Sequence, residues 1–207
     1  MSKAKLIAVA CLMGASLVNA QLKLYVGASG GVGLMQDVDF DLSAPQGTGS
    51  GSFTMNEGAV ANLAIGATFD NIPVRTEFEA GWQKNNVDEL VGAGGSISSS
   101  GDQETITYMW NIYLELRDNI SAELGEVGIT PFVFAGIGAA DIDDDISIQF
   151  AYQFGAGLAY SVTENISFDL RYKYLATEDF DYSEDGVKLD VDGLQYNQFL
   201  LGIRYTF

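Results

Sequence analysis

Histidine is absent from the 207 residues. Its absence removes the usual general base at neutral pH and the commonest metal ligand. The single cysteine, Cys11, lies within the first twenty residues, so the rest of the chain can carry neither thiol chemistry nor disulfides. Basic residues are scarce: ten Lys and Arg stand against 28 Asp and Glu, a net charge of −18. A chain so acidic does not seek nucleic acid or anionic lipid through bulk charge. Beyond residue 20, no stretch reaches the roughly 18 consecutive apolar residues of a transmembrane helix. No Pro/Ser-rich linker divides the chain, so one domain is expected. The composition is not that of a disordered polyanion either, because 47% of residues are hydrophobic and 12% aromatic.

The first twenty residues read as a secretory leader. Lys3 and Lys5 precede a short apolar run, and Val18-Asn19-Ala20 forms a small-residue cleavage site before Gln21. A lipoprotein signal at Ala8-Val9-Ala10-Cys11 would leave only about five apolar residues before the cysteine, fewer than the roughly 7–15 of a leader's apolar core. Cleavage near Ala20 leaves residues 21–207 with 8 basic and 28 acidic residues, a net charge of −20.

That remainder is built on period two. In the last nine residues Phe199, Leu201, Ile203, Tyr205 and Phe207 fall on one face, with Gln198, Gly202, Arg204 and Thr206 on the other. Three tripeptides, Asp70-Asn71-Ile72, Asp118-Asn119-Ile120 and Glu164-Asn165-Ile166, recur 48 and 46 residues apart. Asp and Asn favour tight turns, so these mark short turns at one end of a meander. Longer Gly-, Ser-, Asp- and Asn-rich segments at 36–57, 84–104, 141–146 and 176–193 read as loops at the other end. Three turns and four loops join eight strands, at about 22–34, 58–69, 74–83, 105–117, 129–140, 148–162, 166–175 and 195–207. The expected fold is all-β: an eight-stranded antiparallel up-and-down transmembrane barrel with short periplasmic turns and four longer extracellular loops.

Large apolar residues share one phase within their strands, among them Leu63, Ile65 and Phe69; Phe78 and Trp82; Trp110 and Leu114; Phe154 and Leu158. An apolar face tipped with aromatic rings suits the lipid side of a barrel. In the opposite phase sit Lys23, Arg75, Glu77, Glu79, Glu115, Arg117, Asp169, Arg171, Lys173 and Arg204, six of the eight basic residues beyond the leader beside four acids. The four loops hold 19 of the 28 acids with only Lys84 and Lys188. A soluble barrel inverts this arrangement, and a β-sandwich core does not accommodate so many inward charges.

These features together resemble the small outer-membrane barrels of the OmpA-like and opacity-protein families. The resemblance rests on the leader, the eight alternating segments, Thr130-Pro131-Phe132-Val133-Phe134-Ala135-Gly136-Ile137-Gly138, and the terminal Arg204-Tyr205-Thr206-Phe207. It implies residence in the outer membrane of a Gram-negative bacterium, among outer-membrane lipid and lipopolysaccharide. It also implies that Phe199, Leu201, Ile203, Tyr205 and Phe207 form the C-terminal signal read by the barrel-assembly machinery. No peptidoglycan-binding domain is expected after the barrel. The enzymes among small outer-membrane barrels rely on a catalytic histidine, so an enzyme is not expected here.

The functional expectation is therefore a monomeric surface-interaction barrel, adhesin- or opacity-like, with acidic loops that meet a host or cell-surface ligand. Phe40, Phe53, Phe180 and Tyr182 are candidate contact points. The alternative is a narrow porin or a small-molecule transport barrel. Eight strands leave an interior that side chains can fill. Arg75, Glu77, Glu79, Glu115, Arg117, Asp169, Arg171, Lys173 and Arg204 are expected to close it as an ion-pair network. Glu77 and Glu79 read as partners in that network rather than as a hydrolytic pair. Asp141 to Asp145 reads as a solvated acidic loop rather than a Ca²⁺ site. The run Asp179 to Gly186 has its glycine in the wrong place for an EF-hand. Gly27, Gly31 and Gly33 precede no helix, which excludes a phosphate loop. No cofactor and no bound metal are expected.

Overall fold

The computed structural model describes residues 22–36, 38–44, 47–69, 72–92, 95–116, 128–142, 148–184 and 187–207. They form eleven strands: β1 (Leu22–Met35), β2 (Val38–Ala44), β3 (Gly47–Phe69), β4 (Val74–Gly92), β5 (Gly95–Glu115), β6 (Ile129–Ile142), β7 (Gln149–Ser161), β8 (Ile166–Thr177), β9 (Phe180–Glu184), β10 (Val187–Val191) and β11 (Gln195–Thr206). Eight of them, β1, β3, β4, β5, β6, β7, β8 and β11, pair antiparallel in turn. The pairing of β1 with β3, from Leu22↔Phe69 to Leu34↔Glu57, closes the cylinder. Closure leaves no sheet edge inside the bilayer, the condition lipid sets for a spanning sheet.

The other three strands extend the wall beyond the barrel. β2 pairs with the upper part of β3, β10 with β2, and β9 with β10. Much of 36–57, 84–104 and 176–193, expected as loops, is thus strand. The Gly, Ser and Asp of these segments suggest turns, but strand formation depends on the pairing partner, and each segment has one.

The closing details lie at the opposite end, where the short turns are. Between β7 and β8, the Thr163 hydroxyl accepts from the backbone N–H of Asn165 (3.3 Å) and Ile166 (3.0 Å). The Asn165 side chain donates to the Thr206 carbonyl at 2.7 Å, tying this turn to the last strand. Gly128, with φ of 77°, enters β6 in the left-handed region that favours glycine, and its carbonyl accepts from Ser161 N–H. The tripeptide at 118–120 and Asp70-Asn71 lie outside the described residues, as do residues 1–21.

Alternation along the strands sorts the faces. Leu63 is 68% exposed and Leu201 69%, and the outer belt continues through Ile65, Phe78, Trp110, Ile137, Phe154 and Phe168. An apolar surface this extensive requires a nonaqueous environment. Phe69 departs from the expectation: it is buried, because it ends β3, where the chain leaves the sheet and strict alternation stops.

Candidate functional site

The inner face is lined largely by buried polar and charged side chains. Along β4, Arg75, Glu77 and Glu79 alternate with Val74, Thr76 and Phe78, and the period of two turns all three charges inward, where each is at most 4% exposed. Glu115 reaches them from β5, Asp169, Arg171 and Lys173 from β8, and Arg204 from β11. Among the described residues, four cations and four carboxylates thus share the interior. This balance lets neighbours pair rather than repel.

The contacts fall into layers. Nearest the turn end, Arg75 Nε lies 3.7 Å from Glu115 Oε1, and Arg204 lies 4.0 Å from Glu115 and 3.5 Å from Asp169. Across the middle, Arg171 Nη1 stands 3.7 Å from Glu77 and 3.2 Å from Glu79, while Lys173 Nζ is 2.9 Å from Glu79. Gln153 donates to Asn111 Oδ1 at 2.7 Å. Toward the hairpin end, amides follow: Gln83 donates to Asn85 at 2.6 Å, and Gln198 to Gln83. Last comes an apolar layer of Met35, Met109, Ala140, Ile142, Ala151, Leu175 and Tyr196.

Glu77 and Glu79 each have a partner at both carboxylate oxygens. Glu77 accepts from the Tyr113 hydroxyl through Oε1 (2.7 Å) and from Tyr25 through Oε2 (2.9 Å). Glu79 meets Lys173 and Gln153 through Oε1 and Arg171 through Oε2.

Tyr25 and Tyr113 are functional parts of the interior that sequence reasoning missed. The signal was available: Tyr25 shares the phase of Lys23, and Tyr113 that of Glu115. Tyr113 also stacks with Phe134 at 4.8 Å, and the Arg75 guanidinium lies 3.7 Å above its ring. Burial leaves Arg75 Nε and Nη2, Arg171 Nε and Arg204 Nε without hydrogen-bond partners. Ring faces and nearby carboxylates stabilise these cations instead. Gly66 permits the arrangement, since a Cβ there would collide with the Tyr25 ring.

A cavity of about 10 Å³ lies among Tyr25, Ser29, Asn62, Glu77, Arg171 and Arg204, room for about one water at most. On the lipid side, an open apolar groove of about 720 Å³ runs past Gly30, Leu158, Phe168, Leu170 and Leu201.

Arg117 and Asp143 to Asp145 lie outside the described residues. Asp141 ends β6 exposed, and the Asp179 carboxylate accepts from Gly193 N–H at 2.8 Å. Phe199, Leu201, Ile203, Tyr205 and Phe207 all face outward. Phe207 follows the end of β11, yet its N–H donates to the Leu24 carbonyl at 2.9 Å, so the last residue is bonded to the first strand.

Comparison with known proteins agrees with this architecture. The model of the outer membrane protein beta-barrel domain matches residues 6–207. Outer membrane protein PagN of Salmonella typhimurium is 27% identical over 70% of this chain and 71% of its own length. A 22 kDa outer membrane protein of Rhizobium leguminosarum bv. viciae is 31% identical over 61% of this chain and 62% of its own. The crystal structure of OprG from Pseudomonas aeruginosa superposes with a TM-score of 0.62 at 12% identity, covering 90% of this chain and 97% of that one, a likeness of fold.

Proposed function

The chain belongs to the outer-membrane β-barrel domain family, and from that premise we propose that it is a sealed membrane anchor that displays its acidic hairpins as an interaction surface. The observation that carries the reading is the packing of the interior: among the described residues, four buried cations, four buried carboxylates and an apolar layer, with a cavity of about 10 Å³ among the charged side chains. A narrow pore needs a continuous lumen, which such packing does not offer. The elaborated part of the molecule is the wall above the barrel, and hairpins on a rigid scaffold are where recognition usually resides.

In this reading residues 1–20 are a leader removed near Ala20, the short turns face the periplasm and the long hairpins face outward. Glu77 and Glu79 brace the interior and do no catalysis. The hairpin segments contain 19 acids and two lysines, so the ligand is cationic or neutral rather than a sulfated or phosphorylated polyanion.

Binding of the protein in nanodiscs to immobilised polylysine and to heparin tests the reading. Salt-sensitive binding to polylysine, reduced when Asp39, Asp41, Asp102 and Glu104 are changed to amides, is expected. Binding to heparin in preference to polylysine contradicts it.

A further inference from the structure

The wall above the barrel has uneven height. β6 stops at Ile142 and β7 begins at Gln149, whereas β4 continues to Gly92 and β5 starts from Gly95. On the far side, β2, β10 and β9 follow the upper part of β3 in the same order in which β1, β11 and β8 follow it below. The raised wall therefore runs β5, β4, β3, β2, β10, β9. Among the described residues it is interrupted over the β6–β7 hairpin, a gap of two strand positions.

Two strand edges border that gap. Among the described residues, β5 has no partner on its far side from Gly95 to Glu104, because its pairing with β6 begins at Thr105. β9 pairs with β10 alone. A register shift opposite Val87 and Glu89 divides the β5 edge into two regular runs, 95–98 and 101–104. Natural sheets blunt such edges with lysine or proline. Gly95 to Gln103, GSISSSGDQ, contains no lysine, arginine or proline, and neither does Phe180–Glu184, FDYSE.

We propose that this notch accepts an extended cationic polypeptide segment, which adds as a β-strand to the free edge of β5 or β9. Strand addition supplies main-chain hydrogen bonds for affinity. Charge selects the occupant: segments 36–57, 84–104 and 178–194 carry fifteen acids against Lys84 and Lys188, and Asp141 stands at the foot of the notch. A second copy of this chain brings the same acids to the same edge and is repelled. A strand bearing lysine or arginine is attracted. The proposal rests on the surface-display reading and narrows its ligand to a chemistry and a place.

The test uses the full barrel in nanodiscs and a nine-residue peptide alternating lysine with threonine or valine. Two controls accompany it, the same peptide N-methylated at alternate residues and a glutamate-for-lysine counterpart. The parent peptide is expected to bind at least tenfold more tightly than the N-methylated one, and the acidic peptide not at all. Cysteine-directed cross-linking is expected from Ser98→Cys or Ser183→Cys, and not from Ser52→Cys, which lies between paired strands. Equal binding of parent and N-methylated peptides overturns strand addition and leaves acidic display standing. Absence of parent-peptide binding overturns the notch as a site. Spontaneous Ser98→Cys dimers of the unliganded protein overturn it in favour of a second copy.

Discussion

Glu79 is the residue on which the interior depends most. It is wholly buried, and two cations and an amide converge on its carboxylate. Glu79→Ala leaves Lys173 and Arg171 buried without their nearest anion, and breaking a buried pair in this way costs about 3–5 kcal/mol. Urea unfolding in detergent should register that loss, and the paired change Glu79→Leu with Lys173→Leu should recover part of it. Tyr113→Phe removes only one donor to Glu77, for which about 1–3 kcal/mol is expected in the same titration. A Tyr113→Phe loss equal to that of Glu79→Ala would show that Coulomb pairing is not what holds the interior. The sequence made much of this legible, because period two is a local property that assigns Arg75, Glu77, Glu79 and Arg171 to one face without knowledge of the fold. Which carboxylate meets which cation was not legible, since that depends on the stagger between β4 and β8. The two tyrosines were missed because aromatic rings were assigned to the lipid side, where most of the others do lie.

Among elements, depth in the barrel decides what a substitution costs. Leu201 pairs with Gly30 and Leu170 midway along β11 and is 69% exposed to lipid. Leu114 lies one residue from the turn end of β5. Leu201→Arg is expected to destabilise the barrel by about 2–4 kcal/mol and Leu114→Arg by about 0–1 kcal/mol. Folding titrations into lipid vesicles measure both, and equal costs contradict the assigned depth. At the end of the chain, deleting Phe207 removes the hydrogen bond to Leu24 and the ring packed 5.2 Å from Tyr205. Truncation is expected to lower the amount of heat-modifiable folded barrel in the outer membrane while leaving export across the inner membrane unchanged. Strand positions were readable wherever a lipid face imposed alternation. The upper parts of β3, β4 and β5 were not, because pairing beyond the membrane imposes no such pattern on glycine and serine.

For the molecule as a whole, charge is sorted by place. The interior balances four cations against four carboxylates, while most of the remaining acids lie in the hairpins. Side chains that neutralise one another inside a narrow cylinder disfavour a charged, hydrated path through it, which is what the proposed anchor with working hairpins requires. Planar-bilayer recording of the purified, unmodified protein tests this most directly. No stable conductance is expected from the unmodified barrel, and a measurable leak after Glu79→Ala; large, steady, ohmic conductance from the unmodified barrel would refute a sealed interior.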